Sequence, residues 1–162
     1  VTYWRYFSFT VVRNPYARLV SAYTFLRQGG ITDEDRRFGA EQLAGYATFA
    51  DFVDDWLSEA NLWSHWHFMP QVHFVCEGGE VAVDFVGRFE RLRADFAAVC
   101  ARLGIVRELP HRNASNGGHH WTDLYTSAAR AKVARLYAED FARLGYDSEA
   151  WPDVRRSESA RM

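Results

Sequence analysis

The chain has 162 residues, of which 48% are hydrophobic, 16% aromatic and 25% charged, with 19 basic side chains against 21 acidic ones. That length fits one domain, the apolar share excludes extended disorder, and the charge balance excludes a generally basic nucleic-acid coat. Its two cysteines, Cys76 and Cys100, are too few for a disulfide framework and too far apart for a close-spaced zinc or redox motif, and no apolar run approaches the ~20 residues of a membrane span.

Val1 to Arg5 carries no initiator Met and no signal-peptide layout, and a strand begins almost at once, which points to native sequence upstream. Tyr6 to Val12 is β-branched and aromatic almost throughout, as in a strand buried on both faces of a parallel sheet. Asn14 then supplies a helix cap and Pro15 a first turn, and Tyr16, Leu19, Val20, Tyr23 and Leu26 recur at helical spacing until Gly29-Gly30. Asp33 to Arg37 reads as a solvated loop. Thr48, with Asp51 three residues on, opens a second helix with Phe49, Phe52, Val53, Trp56 and Leu57 as its apolar stripe. Asn61 to Cys76 has no clean period. Glu77 to Glu80 reads as a turn, and Val81, Val83 and Phe85 alternate as a second core strand ending near Gly87.

A third helix carries Leu92, Phe96, Val99 and Leu103 and stops at Gly104, and a long polar loop follows from Glu108 to Asp123. One last helix is expected from Ser127, with Val133, Leu136, Tyr137, Asp140 and Leu144 on one side and Gly145 after it. The fold class is therefore α/β, a parallel sheet flanked by helices, in one domain over residues 1–151 with a mobile tail over 152–162. All basic residues but Lys132 are Arg, a bias that fits a GC-rich bacterial genome, and the expected location is the bacterial cytoplasm.

Arg13 falls where the first strand ends, the place at which open α/β sheets bind ligands, and its rigid fork of donors matches phosphate oxygens. Ser21 on the following helix adds a hydroxyl donor. By spacing alone, an Arg paired with a carboxylate and a Ser on a helix surface fit as well. His65 and His67 would share a strand face, but no fourth ligand or closed tetrahedral set follows from the sequence, so no metal is expected.

The run Phe9-Thr-Val-Val-Arg13-Asn14-Pro15-Tyr-Ala-Arg18-Leu-Val-Ser21-Ala-Tyr23 resembles a signature of the sulfotransferases that use 3′-phosphoadenosine 5′-phosphosulfate (PAPS), most of all the carbohydrate sulfotransferases and their bacterial relatives. Further blocks agree in order. Val83 to Leu92 with Asp95-Phe96 resembles the second signature strand and helix, Leu109 to Ser115 the loop over the nucleotide, and Tyr137 to Phe141 with Leu144-Gly145-Tyr146 the closing helix. The likeness runs from residue 5 to residue 147. It implies that Arg13 and Ser21 bind the 3′-phosphate of PAPS, with Arg88, Arg112 and Ser115 as further donor contacts. Arg18 fits either a phosphate contact or a structural ion pair. The segment His67-Phe-Met-Pro70-Gln71 resembles the acceptor side, which makes His67 and Gln71 candidates for substrate contact, with ordinary packing as the other reading.

Two departures matter. The middle of the lid loop is Asn116-Gly117-Gly118, where related loops carry Lys or Arg. The family's opening Gly-rich loop, whose Lys and Ser or Thr hold the 5′-phosphosulfate, does not occur in these residues. The expectation is thus a P-loop-type sulfotransferase domain truncated at its N-terminus, with its catalytic residues upstream of Val1 and the 3′-phosphate half of the donor site in hand. Expected partners are the nucleotide donor and a carbohydrate acceptor, with no nucleic acid and no membrane segment in the chain. Self-association through an apolar edge at Tyr6 to Val12 is also expected. Two readings from other classes stay open: a non-catalytic nucleotide- or anion-binding relative, and an interaction module using the aromatic segment Trp56 to Phe74.

Overall fold

The first strand, β1 (Phe9–Val12), runs straight into the cap of α1 (Pro15–Arg27). The Asn14 side chain accepts the N–H groups of Tyr16 and Ala17 at 3.0 and 3.4 Å, and Pro15 sits at the first helical position. This computed structural model describes residues 6–110 and 120–152. Of the expected mobile tail, 152–162, residues 153–162 lie outside the described residues.

Asp33 to Arg37 is not a loop. It forms α2 (Asp33–Phe38), because Thr32 and Asp35 make a full capping box that satisfies the first amides of the helix. The helix continues as a π turn over Gly39–Leu43, and Gly39 is the contact point with α1, since a Cβ there would collide with the Leu26 carbonyl oxygen. The second capping box, Thr48 with Asp51, opens α3 (Phe49–Asp51), which widens into a π turn over Phe52–Trp56. All five residues of its expected stripe are buried.

A 3-10 turn at Asn61–Trp63 leads to the short α4 (Val72–Val75), and β2 (Cys76–Glu77) pairs antiparallel with β3 (Glu80–Val81). The alternating run that reads as one strand is divided here. Val81 belongs to the hairpin, and β4 (Phe85–Arg88) is separate. Asp84 causes the break: its carboxylate accepts the Ser8 N–H at 2.8 Å and the Ser8 hydroxyl at 2.9 Å, which fixes the start of a different pairing. β4 then lies parallel to β1 in the register Phe9 to Phe85 through Val12 to Arg88. The sheet is small and parallel, as expected, but β1 is not buried on both faces. With β4 as its one sheet partner among the described residues, Phe9 and Val11 stay 45% and 43% exposed while Val12 is buried.

Next, α5 (Leu92–Leu103) ends on Gly104, whose φ of 67° closes the helix in the left-handed region. After a 3-10 turn at Trp121–Leu124, Thr126 caps α6 (Ser127–Leu136). The expected single last helix is interrupted at Tyr137, and α7 (Ala138–Arg143) sets off from there. Among the described residues no helix is long and apolar enough to cross a membrane.

The larger core joins α1, α3 and its π turn, α6 and α7 around Tyr16, Leu26, Phe52, Phe68 and Tyr137, and a smaller one packs Val12 against Val72, Val75 and Leu144. Between them sits the fully buried carboxylate of Asp140. It accepts the backbone N–H groups of Gln71 and Val72, both at 2.9 Å, and the Gln71 side-chain amide at 3.3 Å. Burial of a carboxylate is tolerated only with such donors. Asp140→Ala would strand two buried backbone amides at ~1–3 kcal/mol each. Urea unfolding should therefore show a loss of at least ~2 kcal/mol, with Asp140→Asn losing less because one acceptor oxygen remains. A change under ~1 kcal/mol for the alanine variant would contradict this account.

Candidate functional site

Parallel pairing puts the carboxyl ends of β1 and β4 at one edge, with Arg13 following one strand and Phe89 the other. The Arg13 peptide is held on both sides by one amide: its N–H donates to Gln71 Oε1 and its carbonyl accepts from Gln71 Nε2, each at 2.9 Å. Gln71 is in turn seated by Asp140. The Arg13 guanidinium, half-buried, lies over the Phe89 ring at 4.4 Å from its centroid. Among the described residues no carboxylate stands within ion-pair distance of it. Burial pulls the pKa of Arg13 below the usual arginine value, while the charge of Glu90 and the neighbouring Tyr146 push the other way.

Glu90 is a brace in this edge. It accepts the Asn14 N–H at 2.7 Å and the Tyr146 hydroxyl at 2.9 Å. Burial, and then the charge of Glu90, push the Tyr146 hydroxyl well above its ordinary range, so it stays protonated and donates. Arg88 donates to the carbonyls of Leu144 and Gly145 at 3.1 and 2.7 Å and stacks over the Tyr146 ring at 4.5 Å. It thus ties β4 to the end of α7.

Ser21 lies on the exposed side of α1, on the same stripe as Asn14 and Arg18. Arg18 itself forms no ion pair among the described residues. It donates to the carbonyls of Met69 and Trp66 at 2.8 and 3.3 Å and so pins the segment that carries His65, His67 and Gln71. His67 is half-exposed and packs edge-on against Phe25. His65 and His67 share no strand; both belong to the turns after the 3-10 helix. Their third neighbour is Asp35, whose Oδ1 lies 3.5 Å from His65 Nε2 and 3.8 Å from His67 Nε2. Burial pushes both imidazoles below the ordinary histidine value, and the Thr32 N–H holds the Asp35 carboxyl below the usual carboxylate range. Arg112 and Ser115 lie outside the described residues.

The structure therefore gathers Arg13, Arg88 and Gln71 around one strand-end edge, with Gln71 and Arg88 engaged in holding the backbone and the Arg13 guanidinium half-buried against Phe89. Sequence reasoning missed Asp140 as the support of Gln71 and Asp35 as the partner of the histidines. Asp140 had a readable signal, an acidic residue inside an apolar helical stripe. Asp35 had the Thr-x-x-Asp spacing.

The sequence profile of the sulfotransferase family matches residues 1–147. This chain belongs to that family. It is 36% identical to carbohydrate sulfotransferase 14 of Mus musculus over 65% of its own length and 30% of the relative's. It is 28% identical to carbohydrate sulfotransferase 12 of the same organism over 88% of its length and 40% of the relative's. An uncharacterized protein of Archaeoglobus fulgidus is 30% identical over 66% of this chain and 75% of that one. The chain thus spans well under half of the carbohydrate sulfotransferases that it matches. No solved structure matches it.

In this sulfotransferase chain, Gln71 acts on Arg13 through the backbone alone. Gln71→Leu should speed hydrogen exchange of the Arg13 amide by roughly 2- to 10-fold, the worth of one net hydrogen bond, while the amides of the β1–β4 ladder stay protected. Amide exchange read by NMR checks this. Unchanged protection of the Arg13 amide would show that the clamp does not hold the strand end.

Proposed function

We propose that Arg13, with Ser21, anchors the 3′-phosphate of PAPS, and that the chain serves the transfer of a sulfuryl group from PAPS to a hydroxyl of a carbohydrate. The observation that carries this reading is the Arg13 guanidinium itself: half-buried, fixed at a strand end, and without a carboxylate partner among the described residues. A phosphate supplies the missing countercharge, and the planar fork suits two of its oxygens. Family membership and the names of the relatives support the reaction class.

The donor supplies an activated sulfuryl group when bound. This chain's residues do the remote work. Arg13 fixes one end of the nucleotide, and the Gln71 clamp and the Glu90 brace keep Arg13 from drifting, so the far end is aligned at a lower entropic cost. Phe89 covers one face of the guanidinium and strengthens its field by excluding water. Arg88 keeps the β4 end and the α7 turn in register beside it. Arg112 and Ser115 are assigned to the donor as well, on the motif alone. His67, half-exposed on the segment that Arg18 pins, is assigned to the acceptor side, as is Gln71 on the motif alone, and the Gln71 amide also positions Arg13. The fold is read as the P-loop type. The 162 residues hold no Gly-rich loop bearing Lys with Ser or Thr, so the chain by itself is expected to bind the nucleotide without transferring sulfate.

Calorimetric titration with adenosine 3′,5′-bisphosphate and with adenosine 5′-phosphate tests the assignment. Arg13→Ala should weaken the bisphosphate by roughly 10- to 150-fold, corresponding to the ~1.5–3 kcal/mol of a charge-assisted bond, and Ser21→Ala by roughly 2- to 12-fold. Arg13→Lys should recover part of the loss, because an ammonium keeps the charge without the fork. Equal affinity for the two nucleotides, or an Arg13→Ala variant that binds like the parent, would remove the assignment.

A further inference from the structure

The cluster of Asp35, His65 and His67 has no part in the donor site, yet it is built with care. Asp35 sits in the capping box of α2, where its Oδ2 accepts the N–H groups of Ile31 and Thr32 at 3.1 and 3.0 Å. That leaves Oδ1 directed at the histidines. Gly30, at a φ of +53°, presses on the Asp35 side chain so closely that any Cβ would collide with it. The carboxylate is thus fixed from two sides. Opposite it, the His65 and His67 rings stack at 5.2 Å with an interplanar angle of 14°. Phe38 lies 4.6 Å from the His65 ring and Phe25 4.9 Å from the His67 ring, which makes the surroundings largely apolar.

Two buried atoms lack partners here. Among the described residues, Asp35 Oδ1 and His65 Nε2 are inaccessible and make no hydrogen bond. Their residues are only 2% and 4% exposed. Buried polar atoms are almost always satisfied, and these two face each other at 3.5 Å, long for a hydrogen bond. His67 Nε2 stands 3.8 Å from the same oxygen, and the three candidate ligand atoms all lie within 4.8 Å of one another. Ligand atoms around a tetrahedral zinc-sized ion are about 3.3–3.4 Å apart, so the set closes when the side chains draw together and the stacked His65 and His67 rings turn until both Nε2 lone pairs meet one ion.

We propose that Asp35, His65 and His67 bind one divalent transition cation of the zinc class. Two borderline imidazoles with one hard carboxylate suit such an ion, and suit magnesium or calcium less, since those prefer oxygen alone. His67, with 35% of its side chain exposed, forms the entrance and leaves the fourth position to solvent. Binding also requires a tautomer change. The His67 N–H reaches His65 Nδ1 at 3.4 Å, so the proton of the neutral ring sits on Nε2. On binding, that proton leaves Nε2 and the ring carries one on Nδ1 instead, with no net proton released; the long contact from the His67 N–H gives way. The Ile31 and Thr32 amides on Oδ2 are the outer partners that orient the carboxylate. The ion would join α2 to the segment whose carbonyls hold Arg18 and whose Gln71 holds Arg13.

The test is titration of tag-free, chelator-treated 162-residue chain with Zn2+ by calorimetry and with Co2+ by visible absorption. The expected result is one ion per chain and the intense bands of low-coordinate Co2+. His67→Gln, at a half-exposed position, should leave the far-UV circular dichroism unchanged. Loss of an outer partner alone costs ~10–100-fold in affinity, so loss of this ligand should cost at least about 100-fold. Asp35→Asn keeps an oxygen for the two cap amides and should lose affinity to the same degree. Absence of stoichiometric binding at micromolar metal, or a His67→Gln variant that binds like the parent, would overturn the proposal. Should Asp35→Asn fail to fold, His67→Gln decides alone.

Discussion

A buried carboxylate organises this molecule. Asp140 would be unfavourable in the core by itself, and it is tolerated because the Gln71 and Val72 amides converge on it. The same contact that satisfies Asp140 sets the position of Gln71, and Gln71 in turn grips the Arg13 peptide on both sides. A helix near the end of the chain therefore determines where the first strand stops. No apolar contact could do this, since packing fixes volume but hydrogen bonds fix direction.

The parallel pairing of β1 with β4 brings this relay to an edge formed by two strand ends. Two strands are too few for a stable sheet, so the edge is braced from outside: Glu90 ties the Asn14 amide to Tyr146, and Arg88 ties β4 to the end of α7. Arg88 and Arg18 spend their donors on backbone carbonyls, whereas among the described residues the Arg13 guanidinium makes neither an ion pair nor a hydrogen bond. A half-buried guanidinium with only the more distant charge of Glu90 to balance it is unfavourable for the fold and useful for binding an anion. In the proposed function that anion is the 3′-phosphate of the nucleotide donor.

Much of this could be read from residues alone, where the cause was local. Asn14-Pro15, the Thr48–Asp51 box and Gly104 act within a few residues of themselves, and each element boundary they mark is present. The Thr32–Asp35 box carried the same signal, but the surrounding charges made the segment read as solvent-facing, and its buried carboxylate was overlooked. The losses came where distant contacts intervene. Asp84 captures Ser8, 76 positions away, and divides what alternation presents as one strand. Tyr137 interrupts the last helix while its hydroxyl reaches the Phe68 carbonyl at 2.7 Å. Gln71 resembles a substrate contact in the motif, and only the fold reveals that its amide grips the backbone of Arg13. The place of Arg13 at a strand end was legible because the strand and the Asn14-Pro15 cap that bound it are local.

The most direct measurement is a crystal structure of the chain with adenosine 3′,5′-bisphosphate. The account places the 3′-phosphate against the Arg13 guanidinium, within hydrogen-bond distance of at least one of its nitrogens and on the β1–β4 edge, with the Gln71 clamp unchanged. A nucleotide bound elsewhere, or bound on this edge with its 3′-phosphate turned away from Arg13, would contradict it.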